Sequence, residues 1–308
     1  MKKGFTRFCI AALSVILIAT TLDFTFGKIM DRMLSQISNQ GDIGKTYFAL
    51  NDVETPVVIV GSSRASHHYV TQMIEDSLGM PAYNIGRDGC FYSYNCCVIN
   101  SIMDRYKPKV IIWENGLEYL FEESSDPLEN LYPYFGTNRN VTNTINEELP
   151  WTELVRIRSN FYKYNSESHR IIMRYLSRNK FVDSTVQGYL PLSPKELRQS
   201  LVLAEEELIS GGLSKTKVAR FESILSRIHD IGVKLVVVDS PKYKIRNQED
   251  ASTKEMRRLC QLYGATFIDN SQIPFFLEHP EFFNDYTHLN DDGARIYTKL
   301  FIKQIESL

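Results

Sequence analysis

Four β-branched residues, Val57-Val58-Ile59-Val60, run without a polar break into the corner Gly61-Ser62-Ser63-Arg64. A continuous apolar run, rather than an alternating one, suits a strand buried on both faces of a parallel sheet. The same signature returns in Lys109–Asn115, Val233–Asp239 and Ala265–Ile268, and more briefly after Pro81. Helical periodicity fills the gaps. It predicts helices from about Tyr69 to Leu78, from about Tyr92 to Tyr106, around Lys215–Asp230 and from about Thr253 to Tyr263. A last helix follows His288. Five strands alternating with helices predict an α/β fold: a three-layer α/β/α sandwich on a five-stranded, doubly wound parallel sheet.

Two stretches break this alternation. From about 120 to 213 the chain is rich in Tyr, Asn, Ser and charge, and reads as a large, mostly helical insertion with helices near 151–178 and 194–209. Insertions at the carboxyl edge of a sheet often shape a binding site. Within it Arg170, Arg174 and Arg178 share one helical face. Both a solvated face and a surface for an anionic partner remain open.

The N-terminus is the other departure. Lys2, Lys3 and Arg7 precede an apolar run from Phe8 to Leu22, extended by Asp23-Phe24-Thr25-Phe26. That is about 19 residues, near bilayer-spanning length. The poor small-residue pattern at Thr25-Phe26-Gly27 favours an uncleaved signal anchor over residues 1–29, with a cleaved signal peptide as the alternative. The positive-inside rule keeps the N-terminus cytoplasmic and places the rest in the periplasm or cell exterior. Residues 30–55, with Met30, Met33, Leu34 and Ile37 at helical spacing, read as a stalk or linker, and 56–308 as the folded domain.

Composition narrows the function. A hydrophobic fraction of 43% in 308 residues supports an ample core, and a net charge of −2 argues against a nucleic-acid binder that works by bulk electrostatics. None of the five cysteines has zinc-site spacing, and no metal or cofactor is expected. A disulfide to Cys260 stays open in an oxidising compartment. A nucleotide binder would need a phosphate-cradling glycine loop after the first strand, and none is present.

Candidate chemistry lies at the two ends of the α/β pattern. Ser63 follows the first strand, at the sheet edge where open α/β folds bind ligands. A serine hydroxyl is a poor nucleophile without a base, and the base needs a carboxylate to fix its tautomer. Asp285 and His288, three residues apart in the loop after the last strand, fit that need. As a bland alternative, Gly-Ser-Ser is a strand-to-helix turn and Asp-x-x-His a surface turn.

Taken together, these segments resemble the SGNH (GDSL-like) hydrolase superfamily over about 56–119 and 215–308, in an envelope-anchored Gly-x-Ser-Arg variant. Gly61-Ser62-Ser63 is similar to the first block of that family and Asn84–Gly89 to the second. Asp285 and His288 match the last block. The resemblance implies Ser63 as nucleophile, His288 as base and Asp285 as its orienting partner. It also implies an oxyanion hole from the amides of Ser63 and Gly89. In the third block Glu118 stands where the family has an asparagine donor, and Asn115 is the nearest substitute. Arg64 and Glu118 are candidate substrate contacts, with Arg64 equally suited to pairing with Asp88 or Glu114. The implied activity is that of a serine esterase or O-acyltransferase acting on O-acyl, chiefly O-acetyl, groups of a carbohydrate or envelope glycan. A non-catalytic module that binds a glycan or an envelope protein partner is the alternative.

Overall fold

The computed structural model describes residues 2–116, 120–122, 126–193, 201–207 and 211–306. The chain divides into two compact units, Phe48–Pro127 with Val182–Leu308, and Met1–Tyr47 with Leu128–Phe181.

The first of these holds the expected α/β fold. Its sheet comprises β1 (Val57–Gly61), β2 (Ala82–Asn84), β3 (Val110–Glu114), β4 (Lys234–Asp239) and β5 (Thr266–Asp269). Every pairing is parallel, in the order β2-β1-β3-β4-β5. Both faces of the central strands are covered, which explains their unbroken apolar runs. On one face Val57, Ile59, Ile112 and Val236 pack with Tyr69, Ile74, Tyr297 and Phe301. On the other, Trp113 stacks on Tyr92 at 6.2 Å and meets Phe221 at 5.4 Å. Each such side chain, fully buried, contributes roughly 1.5–3 kcal/mol. The chain runs outward from β1 to β2 and then returns to β3 on β1's other side, so the carboxyl edge between β1 and β3 is a topological switch point.

The structure adds one helix to those expected and revises another. The helix expected from about Tyr69 to Leu78 forms as Thr71–Leu78, and a separate short helix, Ser63–His68, precedes it. The added helix has a local cause, because Ser62 caps it by accepting from the Ser63 N–H. Of the helix expected near 194–209, residues 194–200 and 208–210 lie outside the described residues, and the part between holds a short strand, Ala204–Glu205, paired with Lys244–Ile245.

In the other unit one helix runs through Lys2–Ser35. Residues expected to form a stalk are packed here: Met30, Leu34 and Ile37 are buried. The arginine face of the helix Ser168–Ser177 is engaged within this unit. Arg170 bridges Glu167 and Asp42, Arg174 lies over Phe181 at 4.8 Å, and Arg178 over Tyr175 at 3.9 Å. All five cysteines are free thiols, so the disulfide to Cys260 does not form, and burial pushes the Cys260 thiol up to about 12.

Candidate active site

Ser63 is the first residue of the helix that leaves β1. Two glycines allow the tight packing around it. A Cβ at Gly61 would lie 2.6 Å from Glu114 O, and one at Gly86 would lie 2.6 Å from Ala65 Cβ and 2.7 Å from Ser66 N. The Gly86 loop is laced to β1 as well, since Ile85 N donates to Ile59 O and Arg87 N to Gly61 O.

The loop after β5 brings the other groups. Asn284 N donates to His288 O at 2.8 Å, and Asn290 N to Phe282 O at 2.9 Å, closing the segment that carries Asp285 and His288. Asn290 then caps the following helix, Asp291–Ile305, through Gly293 N. Ser63 Oγ and His288 Nε2 are 2.6 Å apart. His288 Nδ1 faces both Asp285 oxygens, at 3.0 and 2.9 Å. Burial raises the Asp285 pKa, but hydrogen bonds from His288 and from the Thr287 amide and hydroxyl outweigh it and hold the carboxyl well below its usual range. An ionised Asp285 therefore fixes Nδ1 as the protonated nitrogen and leaves Nε2 free to take a proton from Ser63.

The remaining candidates fall in different places. Gly89 has a left-handed backbone (φ 69°) that glycine adopts without strain, and it is exposed. The Ser63 amide donates to Ser62 Oγ at 2.6 Å. Asn115 departs from its expected role as an oxyanion donor. It is buried, its side-chain amide donates to Met256 Sδ at 2.9 Å, and its N–H extends the ladder to Val238 O. Glu118 lies outside the described residues.

Arg64 is turned inward as well. Only 1% exposed, it pairs with Asp239 at 3.0 Å and Glu114 at 3.5 Å, and its guanidinium also donates to Ser240. Of the two pairings expected, the one with Glu114 forms and that with Asp88 does not. Burial works against the Arg64 charge, but Glu114 and Asp239 more than offset it and raise its pKa. Burial also raises the Glu114 pKa, opposed by Arg64, while the Tyr69 hydroxyl and the Gly116 N–H donate to its carboxylate. A Cβ at Gly116 would fall on Arg64 Nη1, so that glycine makes room for the guanidinium.

Two histidines outside the candidates read from the sequence, His67 and His68, are buried beside the site. His67 bridges Leu190 O at 2.7 Å and Asp88 Oδ2 at 3.0 Å, with its ring edge-on to His288 at 5.8 Å. His68 accepts from the Leu289 N–H at 3.0 Å and meets Ser240 Oγ at 2.7 Å through Nδ1. Burial, and then the Arg64 charge, drive its pKa well below the ordinary histidine value. The neutral ring with its proton on Nδ1 satisfies both contacts, and it ties the backbone beside His288 to the Arg64 cluster. One signal could have found this pair. With Ser62 as cap, a helix starting at Ser63 carries His67 one turn on, over the nucleophile's own face.

No group of three or more His, Cys, Asp or Glu among the described residues is arranged to hold a metal. No family model matches the chain, and no curated protein matches it. Among solved structures it is similar to BT4096, a gut microbial diltiazem-metabolizing enzyme, at 15% identity and a TM-score of 0.34. That similarity covers 80% of this chain and 46% of the other, so the chain spans less than half the length of that structure.

Proposed function

We propose that the chain is an exported SGNH-type serine esterase or acyl-transfer enzyme, held to a membrane by its N-terminal helix. The observation that carries this is the line from Ser63 Oγ through His288 to Asp285, at 2.6 and 2.9 Å. Ser63 Oγ attacks the ester carbonyl while His288 Nε2 takes its proton. The amides of Ser63 and Gly89 hold the oxyanion, once the Ser62 hydroxyl turns away from the Ser63 N–H. His288 returns the proton to the departing alcohol, leaving an acyl group on Ser63. Water or a sugar hydroxyl then repeats the sequence in reverse, and exclusion of water decides between hydrolysis and transfer. The substrate class is an O-acylated, chiefly O-acetylated, carbohydrate.

The anchor reading rests on the Lys2–Ser35 helix, long and apolar enough to cross a membrane, with an 18-residue window of mean hydropathy 2.0 wholly unburied.

A second reading, a glycan- or protein-binding module without turnover, is favoured by the engaged Ser63 amide and the inward-turned Asn115. Assaying release of acetate from O-acetylated oligosaccharides and from a nitrophenyl ester separates the two. The enzyme reading expects turnover that falls by at least about 10³-fold in Ser63→Ala. Equal rates in the two proteins would favour the binding module.

A further inference from the structure

The unit formed by Met1–Tyr47 and Leu128–Phe181 contains a junction that the proposed chemistry does not use. The N-terminal helix changes character along its length. Phe8, Leu13, Leu17, Leu22 and Phe24 are each more than half exposed, whereas Met30 and Leu34 are almost fully buried. Asp23 sits at the change. Its Oδ1 accepts from Ser159 Oγ at 2.7 Å and Phe161 N at 2.9 Å, and its Oδ2 from Asn160 N at 2.9 Å and Asn160 Nδ2 at 3.0 Å. One turn on, Phe26 stacks on Phe161 at 4.7 Å. Beside Phe26, a Cβ at Gly27 would overlap the Asn160 side chain at 2.4 Å, so that glycine lets Asn160 lie against the helix backbone.

Depth follows from length. An apolar run of about 19 residues rising 1.5 Å each covers roughly 28 Å, close to the hydrocarbon thickness of a bilayer. Asp23 falls in its last turn, at the boundary, where a bare carboxylate would be costly and four donors from the cap and first turn of one short helix satisfy it. The segment Ser159–Phe161, the start of a short helix Asn160–Lys163, is thereby fixed at the level of the membrane surface. Around it three large apolar side chains are exposed: Trp151 at 75%, Val155 at 60%, and Phe161 at 50% on the side away from Phe26. Trp151 and Val155 lie one turn apart on the same face of their helix. Tryptophan favours the headgroup boundary, where one side of its ring is wet and the other apolar.

We propose that the segment Trp151–Phe161 is seated in the headgroup–acyl boundary of the bilayer that the N-terminal helix spans, with Asp23 clamping the two together. This rests on the anchor reading of that helix. The clamp also gives a reason for the helix to be retained. Cleavage near Gly27 would strip the Ser159, Asn160 and Phe161 donors of their acceptor and leave Phe161 without its stacking partner.

The test uses the full chain reconstituted into phosphatidylcholine vesicles whose acyl chains carry bromine, a contact quencher of tryptophan. The protein has two tryptophans, and Trp113 is fully buried in the other unit. Emission of the wild type is expected to be quenched relative to plain vesicles, and Trp151→Phe is expected to lose that quenching. Asp23→Ala is expected to lose most of it while the helix stays in the vesicle. Equal wild-type emission in both vesicles would overturn the seating, whether water or another protein covers Trp151. Intact mass of the membrane-extracted chain reads the anchor separately. A mass lacking residues 1–27 would overturn both the anchor and the clamp, whereas full mass without quenching would overturn the seating alone.

Discussion

His68 gives the protein an acid sensitivity that can be separated from every other titration. In the unfolded chain a histidine takes up a proton below roughly pH 6.5. In the folded chain the ring is kept neutral by burial and by Arg64, and its Nε2 lone pair is occupied by the Leu289 N–H. Acid therefore favours the unfolded state. The contribution is intact above the unfolded pKa and is lost as the pH falls from there toward the folded one. For a ring that stays neutral across the window, the loss between pH 7 and pH 5 is about 2 kcal/mol. His68→Gln removes the titration but keeps an acceptor for Leu289, giving up the Ser240 contact, worth about 1 kcal/mol, and the ring's edge contacts with His288 and Tyr297. The wild type should thus be the more stable protein at pH 7, and the two stabilities should converge and cross on the way to pH 5. Urea unfolding of the full chain in detergent measures this. A Trp151→Phe background leaves the buried Trp113 as sole reporter of the sheet unit. Parallel pH profiles for the two proteins would refute the argument.

Arg64→Leu leaves Glu114 and Asp239 buried without their guanidinium partner. It should cost about 3–5 kcal/mol in the same unfolding assay, and a loss under 1 kcal/mol would contradict the buried ion-pair account. Gly86→Ala forces a methyl onto Ala65 and Ser66 in the helix that carries Ser63. It should destabilise by about 1–3 kcal/mol and lower ester turnover by up to about 10²-fold through displacement of Ser63. At Gly89 no atom lies within 4 Å of a Cβ, so Gly89→Ala should show only the backbone cost of a left-handed residue, about 1–2 kcal/mol.

The sheet was legible in the chain because strands buried on both faces need continuous β-branched runs, and those runs are unmistakable at Val57–Val60 and Val110–Ile112. The approach of Ser63 to the Asp285–His288 loop followed from the same pattern. Both segments leave the carboxyl ends of parallel strands, and that topology delivers them to one edge. What stayed hidden depends on partners far away in sequence. Arg64 reads as a site residue until Asp239 and Ser240, at the end of β4, are seen to enclose it. Asn115 stands beside the strand end as a donor should, yet Met256 takes its amide. The pairing of Asp23 with Ser159–Phe161 joins two segments whose local patterns contain no sign of each other. The short helix Ser63–His68 was missed for a smaller reason: its cap is a serine that also reads as part of a glycine turn.

The central claim is that Ser63 is an assembled nucleophile. Treating the folded full chain with a serine-directed organophosphonate and mapping the adduct by mass spectrometry tests it most directly. The account predicts one adduct, on Ser63, that disappears in His288→Ala. A folded protein that takes no adduct, or labels elsewhere with Ser63 untouched, would contradict it.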